Sequence, residues 1–183
     1  MRVFGIDPGS DRTGYGCIES DGRRHRLVVC GAVRTGASTF ADRLAVIHHE
    51  LTALLGDTRP AFVAIESVFH AANARSALKL GHARGVAMLA AVQAGVPVVE
   101  YSPAEIKRAV VGYGRAEKPQ VGQMVKLLLG LERVPSPHDA ADALAVAICH
   151  LHHGGRASSY GHRRKRPDPG SSRPRTWRQY RPA

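Results

Sequence analysis

The 183-residue sequence predicts an α/β fold: a mixed five-stranded sheet, antiparallel over its first three strands, with helices on both faces. Two observations carry this. Three short apolar runs near the N-terminus are separated only by Gly-bearing, turn-length segments, the spacing of an antiparallel meander. After them, helical and extended patterns alternate, which adds strands joined by crossovers.

The elements follow in order. RVFGID (2–7), TGYGCIES (13–20) and HRLVVCGAVRT (25–35), the last after a DGRR turn, read as strands. FADRLAVIHHELTALL (40–55) puts Phe40, Leu44, Ile47, Leu51 and Leu55 on one helical face. RPAFVAIESVF (59–69) is an apolar, β-branched run and so a buried fourth strand. ANARSALKLGHARGVAMLAAVQAG (72–95) is a long Ala-rich helix, and VPVVEYS (96–102) is the fifth strand. SPAEIKRAVVG (102–112) opens with a capped helix start at Ser102, Pro103 and Glu105. AEKPQVGQMVKLLLGL (116–131) is helical, with Pro119 in its first turn. SPHDAADALAVAICHLHH (136–153) is the last helix, expected to be capped by Ser136 with Asp139 at the third helical position.

Composition narrows the class. Hydrophobic residues make up 44% of the chain, enough for one domain with its own core. No apolar run reaches the roughly 20 residues of a membrane span. MRVFGID passes directly into a strand, so no signal peptide is expected. The three cysteines, Cys17, Cys30 and Cys149, are too scattered for a metal motif or a disulfide framework. The expectation is a reduced, cytoplasmic protein with no membrane partner. The HLHH run at 150–153 reads as an exposed helix end rather than a zinc site.

The net charge of +11 points to a polyanionic partner. Nine of the basic residues, against one Asp, lie in the Gly-, Ser-, Pro- and Arg-rich segment 154–183. That segment has too few aliphatic residues to order itself and is expected to be a disordered basic tail. Residues 1–153 form the folded domain.

Four acids stand at the polar ends of these elements. Asp7 ends the first strand and Glu66 the fourth, while Asp139 and Asp142 are three apart on the last helix. In an open sheet, sites form beyond the strand ends. If the first and fourth strands are parallel neighbours, Asp7 and Glu66 project into one crevice. Carboxylates gathered there repel unless a hard cation neutralises them, and Mg²⁺ takes oxygen ligands of this kind.

GIDPGSDRTGYG, IESVFHAANARSALKLGHARG, VVGYGRAEKPQV and HDAADALAVAICHLH together resemble the RuvC-type Holliday junction resolvases, in order and spacing, across residues 1–153. The resemblance implies an RNase H-like fold, a homodimer and an Mg²⁺-dependent endonuclease with two metal ions per site, for which Mn²⁺ is a substitute. It implies four-way junction DNA as substrate and the branch-migration complex of RuvA and RuvB as partner. It places Asp7, Glu66, Asp139 and Asp142 on the catalytic acids. Lys107 and Lys118 fall on bases that approach the scissile strand, and Phe69 on an aromatic that stacks at the junction core. Some members use His for the third acid. His138 precedes Asp139, and a helix separates the two directions by roughly 100°, so the DAAD spacing favours Asp139.

Two metal ions about 3.5–4 Å apart would clamp the phosphodiester, leaving 5′-phosphate and 3′-hydroxyl ends. Residues 67–99 contain no acid but do contain Arg75, Lys79 and Arg84. Residues 101–126 carry Lys107, Arg108, Arg115, Lys118 and Lys126. Of these, Arg75, Lys79, Lys107, Arg115 and Lys118 are expected to meet DNA. Gly112 and Gly114 are expected to make a mobile loop beside it. Gly81 and Gly85, one helical turn apart, permit close helix approach within the chain or across a dimer. Two other readings compete. An actin-like ATPase would need a second phosphate loop, which the sequence lacks. A non-catalytic junction binder would gain nothing from clustered acids.

Overall fold

Alternation along the first strand sets the architecture. In β1 (Arg2–Asp7), successive side chains face opposite sides of the sheet, and Val3, Phe4 and Ile6 are all fully buried. A strand buried on both faces needs a layer on each. The computed structural model describes residues 1–36, 39–67 and 73–154 and supplies both layers.

The sheet order is β3-β2-β1-β4-β5. β2 (Arg12–Ser20) pairs antiparallel with β1 and with β3 (His25–Arg34). β4 (Phe62–Glu66) pairs parallel with β1 and with β5 (Val98–Tyr101). The mixed five-stranded sheet with an antiparallel first half is therefore as the sequence predicts. On one face Phe4, Ile6, Cys17, Val63 and Ile65 pack against α1 (Phe40–Thr58) and α2 (Ala74–Gln93). On the other, Val3, Ile18, Ala64, Val99 and Tyr101 pack against α3 (Pro103–Val111), α4 (Lys118–Leu128) and α5 (His138–His152).

α5 lies directly on the sheet, and glycines make room for it. A Cβ on Gly5 would stand 2.0 Å from the Ala143 carbonyl oxygen, and one on Gly14 2.1 Å from that of Asp139. One on Gly16 would meet Leu144 Cδ2 at 2.5 Å. Glycine inside a strand marks such a close approach. Here it lowers a helix of small residues onto β1 and β2.

The helix starts partly follow expectation. Ser102 and Glu105 form the capping box of α3. α5 does not repeat it: Pro137, with extended backbone at ψ 174, occupies the N-cap position and the helix begins at His138. Ser136 is therefore not the cap, and Asp139 is the second helical residue, with no capping duty.

Gly112 is the left-handed C-cap of α3 (φ 96), its N–H donating to the Arg108 carbonyl, and it opens the α3–α4 connection in which Gly114 also lies. A further expectation is corrected: His150, expected at an exposed helix end, is fully buried and hydrogen-bonds the Tyr101 hydroxyl through Nδ1 at 2.8 Å. It lies on the sheet-facing side of α5, whereas His152 and His153 are exposed. The cysteines are free thiols, and burial pushes Cys17 up to about 11 and Cys149 to about 12.

Candidate active site

Strand parity puts the first two acids side by side. Val3, Gly5 and Asp7 point to the α5 face, and so do Phe62, Ala64 and Glu66 on the parallel neighbour. Asp7 and Glu66 thus meet at the C-terminal ends of adjacent parallel strands and hydrogen-bond each other. α5 brings Asp142 over them. Together with Lys107 of α3 and Lys118, the first residue of α4, these acids line a cavity of about 200 Å³. Its remaining wall is apolar: Ile106, Val121, Ala145 and Val146.

The electrostatics are unbalanced. Burial first, then the Glu66 and Asp142 carboxylates, pushes Asp7 up to about 8 from 3.8. Burial likewise raises Glu66, while Lys118 and Lys107 oppose the rise. Burial thus pushes both acids toward their protonated forms. Asp142 instead faces an ammonium: Lys118 Nζ donates to its Oδ2 at 2.8 Å, and this pairing raises the Lys118 value.

Among the described residues, no three His, Cys, Asp or Glu side chains converge with metal-ligand spacing. One of the carboxylates, Asp142, is instead paired with a lysine. The donors are nonetheless all oxygen, with no thiol or imidazole lining the cavity, which fits a hard divalent cation.

Asp139 does not line the cavity. It sits above Gly14, its Cβ 3.1 Å from where a Gly14 Cβ would be, and Gly14 is the register partner of Asp7. It is half-buried, whereas His138 is exposed. The basic residues divide. Lys107 and Lys118 are at the cavity, and Arg115 is exposed in the α3–α4 connection. Arg75 and Lys79 lie on α2, across the sheet, with Lys79 Nζ 5.8 Å from the Phe40 ring centroid. Arg84 pairs with Glu100 of β5 and so turns inward rather than toward DNA. Phe69 lies outside the described residues, as does segment 155–183 of the basic tail.

Sequence reasoning overlooked the glycine floor under α5 and the Lys118–Asp142 pair. The floor had a signal: Gly14 and Gly16 stand two apart within one strand, so they mark the same face.

Strand order 3-2-1-4-5, with acids at the ends of its central strands, is the architecture of the RNase H-like class. The family model described as crossover junction endodeoxyribonuclease RuvC matches residues 3–150, and the chain belongs to that family. A RuvC from Syntrophotalea carbinolica is 57% identical over 153 residues, 83% of this chain and 94% of its own. One from Koribacter versatilis is 56% identical, over 83% and 93% of the two chains. The solved structure of Thermus thermophilus RuvC in complex with Holliday junction substrate has a TM-score of 0.80 at 38% identity, covering 84% of this chain and 94% of that one. The yeast mitochondrial resolvase Ydc2, at 13% identity and TM-score 0.57 over 82% and 78% of the two chains, shares the fold alone.

Proposed function

We infer that this chain is a Holliday junction resolvase, an endonuclease that cuts four-way DNA junctions by paired, symmetric nicks in recombination and repair. The observation that carries the reading is the cavity holding Asp7, Glu66 and Asp142 against Lys107 and Lys118, in a chain of this family. A pure DNA binder would not bury clustered acids where phosphates must approach.

Asp7, Glu66, Asp139 and Asp142 would hold Mg²⁺, two ions per site, with Mn²⁺ as a substitute. When bound, the ions supply an activated water and a counter-charge for the leaving 3′ oxygen, giving 5′-phosphate and 3′-hydroxyl products. As ligands, Asp7 and Glu66 would both be ionised, so metal binding would release protons. Lys118, released from Asp142, has its ammonium free to meet a phosphate oxygen. Lys107 lines the same cavity, and the apolar wall limits access of bulk water.

Paired nicks call for two sites, which a two-fold homodimer presents to a substrate of matching symmetry. α2 fits that role. Gly81 and Gly85 meet nothing within 4 Å of a built Cβ among the described residues, so close approach within the chain is not their purpose. They line an apolar groove with Leu44, Val86 and the exposed Leu78 and Leu89. Arg75, Lys79 and Arg115, and Phe69 by resemblance, would bind junction arms and core. RuvA and RuvB are the partners, and the cytoplasm the location, that family membership implies. Among the described residues no helix is long and apolar enough to cross a membrane.

The test is cleavage of a synthetic four-way junction with Mg²⁺ beside a linear duplex of the same sequence. Paired nicks in the junction alone are expected. Binding without any cutting, in Mg²⁺ or Mn²⁺, would return the chain to the class of junction binders.

A further inference from the structure

We propose that Arg12 and Arg34 form a phosphate seat for the strand being cut, outside the acid cavity on the β2–β3 side; the proposal rests on the resolvase reading above. Arg12 and Arg34 are direct register partners on adjacent antiparallel strands. Residues so placed have Cβ atoms about 4.5–5.5 Å apart, and like charges there destabilise the pair. Both residues are exposed. Neither guanidinium has an ion-pair partner among the described residues. The adjacent acid, Asp11, is already taken by Arg43.

The far end of the same strand pair is built the other way. There Glu19 is the register partner of Arg26 and binds both Arg26, at 2.5 Å, and Arg2, at 3.2 Å. Opposite charges meet away from the site, and two uncompensated cations meet beside it. A solvated surface has no reason for that asymmetry, whereas a bound anion at one end supplies it.

Strand parity fixes the direction. Gly14 points at α5, so Arg12, two residues earlier, and its partner Arg34 share the face of the catalytic acids. Gly14 is also the register partner of Asp7. Arg12 therefore lies about 6.6 Å along the strand from the row that contains Asp7, just past the start of α5. β2 and β3 also lie one and two strand spacings, each about 4.8 Å, to the side of β1, so the pair stands about 8–12 Å from Asp7. At about 3.4 Å per nucleotide, a phosphate two or three nucleotides from the one cut would reach the arginine pair while the scissile phosphate lies in the cavity. Two planar guanidiniums suit a phosphate's spread oxygens.

The experiment compares the full-length wild type, the double variant R12Q/R34Q and the double variant R12K/R34K. Salt dependence of binding is measured with metal chelated, on a four-way junction and on a plain duplex, and single-turnover cleavage is followed with Mg²⁺ at saturating enzyme. The glutamine variant is expected to lower the log–log salt slope by about 0.9 for one lost phosphate contact on both DNAs. Its cleavage rate falls roughly ten- to a hundredfold as the scissile phosphate loses register. Its melting temperature stays equal or rises, because the like-charge pair is gone. The lysine variant keeps the salt slope but recovers only part of the rate, since it lacks the planar fork. A glutamine variant with unchanged slope and unchanged cleavage rate would overturn the seat. If wild type never cuts the junction yet the duplex slope still drops in the variant, the resolvase reading fails and the pair stands only as a phosphate-binding site.

Discussion

The two faces of the sheet treat buried acids in opposite ways. On the α2 face, Glu100 of β5 meets Arg84, one acid and one cation, with side chains 25% and 28% exposed. On the α5 face, Asp7 and Glu66 meet each other, and Asp142 adds a third carboxylate to the same cavity. The first arrangement neutralises a charge that lies between helix and strand. The second keeps acid in excess of what its neighbours balance, at a cost to the empty fold. An excess of that kind, at the ends of parallel strands, belongs to a site that waits for positive charge.

The sharpest break in this comparison is Asp7→Asn. Cleavage should fall below detection while junction affinity stays equal or rises, because a negative charge facing phosphates has gone. The metal-free fold should gain. A carboxyl near 8 in the fold, against 3.8 ordinarily, favours folding fully below pH 3.8 and loses that advantage as pH rises toward 8. Metal-free wild type should therefore lose stability over this window, and the Asn variant should lose less of it. At pH 7 in chelator the variant should melt higher, by about 2–4 °C for each kcal/mol recovered. Mg²⁺-dependent cutting by the variant would remove Asp7 from the ligand set.

Next in size is Gly5→Ala. The added methyl would collide with the Ala143 carbonyl, so α5 must lift and carry Asp142 away from Asp7. A loss of about 1–3 kcal/mol, read by denaturant melts, should accompany a large fall in cleavage. Unchanged stability would mean that α5 does not rest on β1 in solution.

A smaller effect separates the two neighbours at the start of α5. Asp139→Asn should reduce the cleavage rate more than His138→Ala, since Asp139 stands over the register partner of Asp7 and His138 is exposed. The reverse order would transfer the ligand role to His138.

The smallest effect is on the balanced face. Arg84→Gln leaves Glu100 without its cation and should cost about 1 kcal/mol or less, with cleavage unchanged. A cleavage loss as large as that of Asp139→Asn would show that the two faces are coupled.

Much of the fold was legible in the chain. Turn-length spacings predicted the β1–β2–β3 meander, helical periodicity located α1, and a capped start located α3. The N-terminus of α5 was misread, because Ser-Pro opens α3 with a helical Pro103 but precedes α5 with an extended Pro137. A proline's backbone ψ is free where its φ is not, so the dipeptide alone did not decide which residue starts the helix. The partner of Arg84 was not legible, because a charge on an Ala-rich helix carries no mark of it; Glu100 lies sixteen residues on, in another element.

The sequence by itself determined the elements and their order along the chain, and it marked Asp7, Glu66, Asp139 and Asp142 as acids at their polar ends, because each depends on local spacing. It also determined the family, since four motifs in one order are hard to meet by chance. Only the tertiary structure decided that Asp7 and Glu66 adjoin in one cavity, that Lys118 holds Asp142, that Asp139 stands apart over Gly14, and that Arg12 confronts Arg34. Those facts depend on strand register and on how close α5 lies to the sheet. Register and approach are set by packing among residues far apart in the chain, where one residue of slip turns every side chain to the other face.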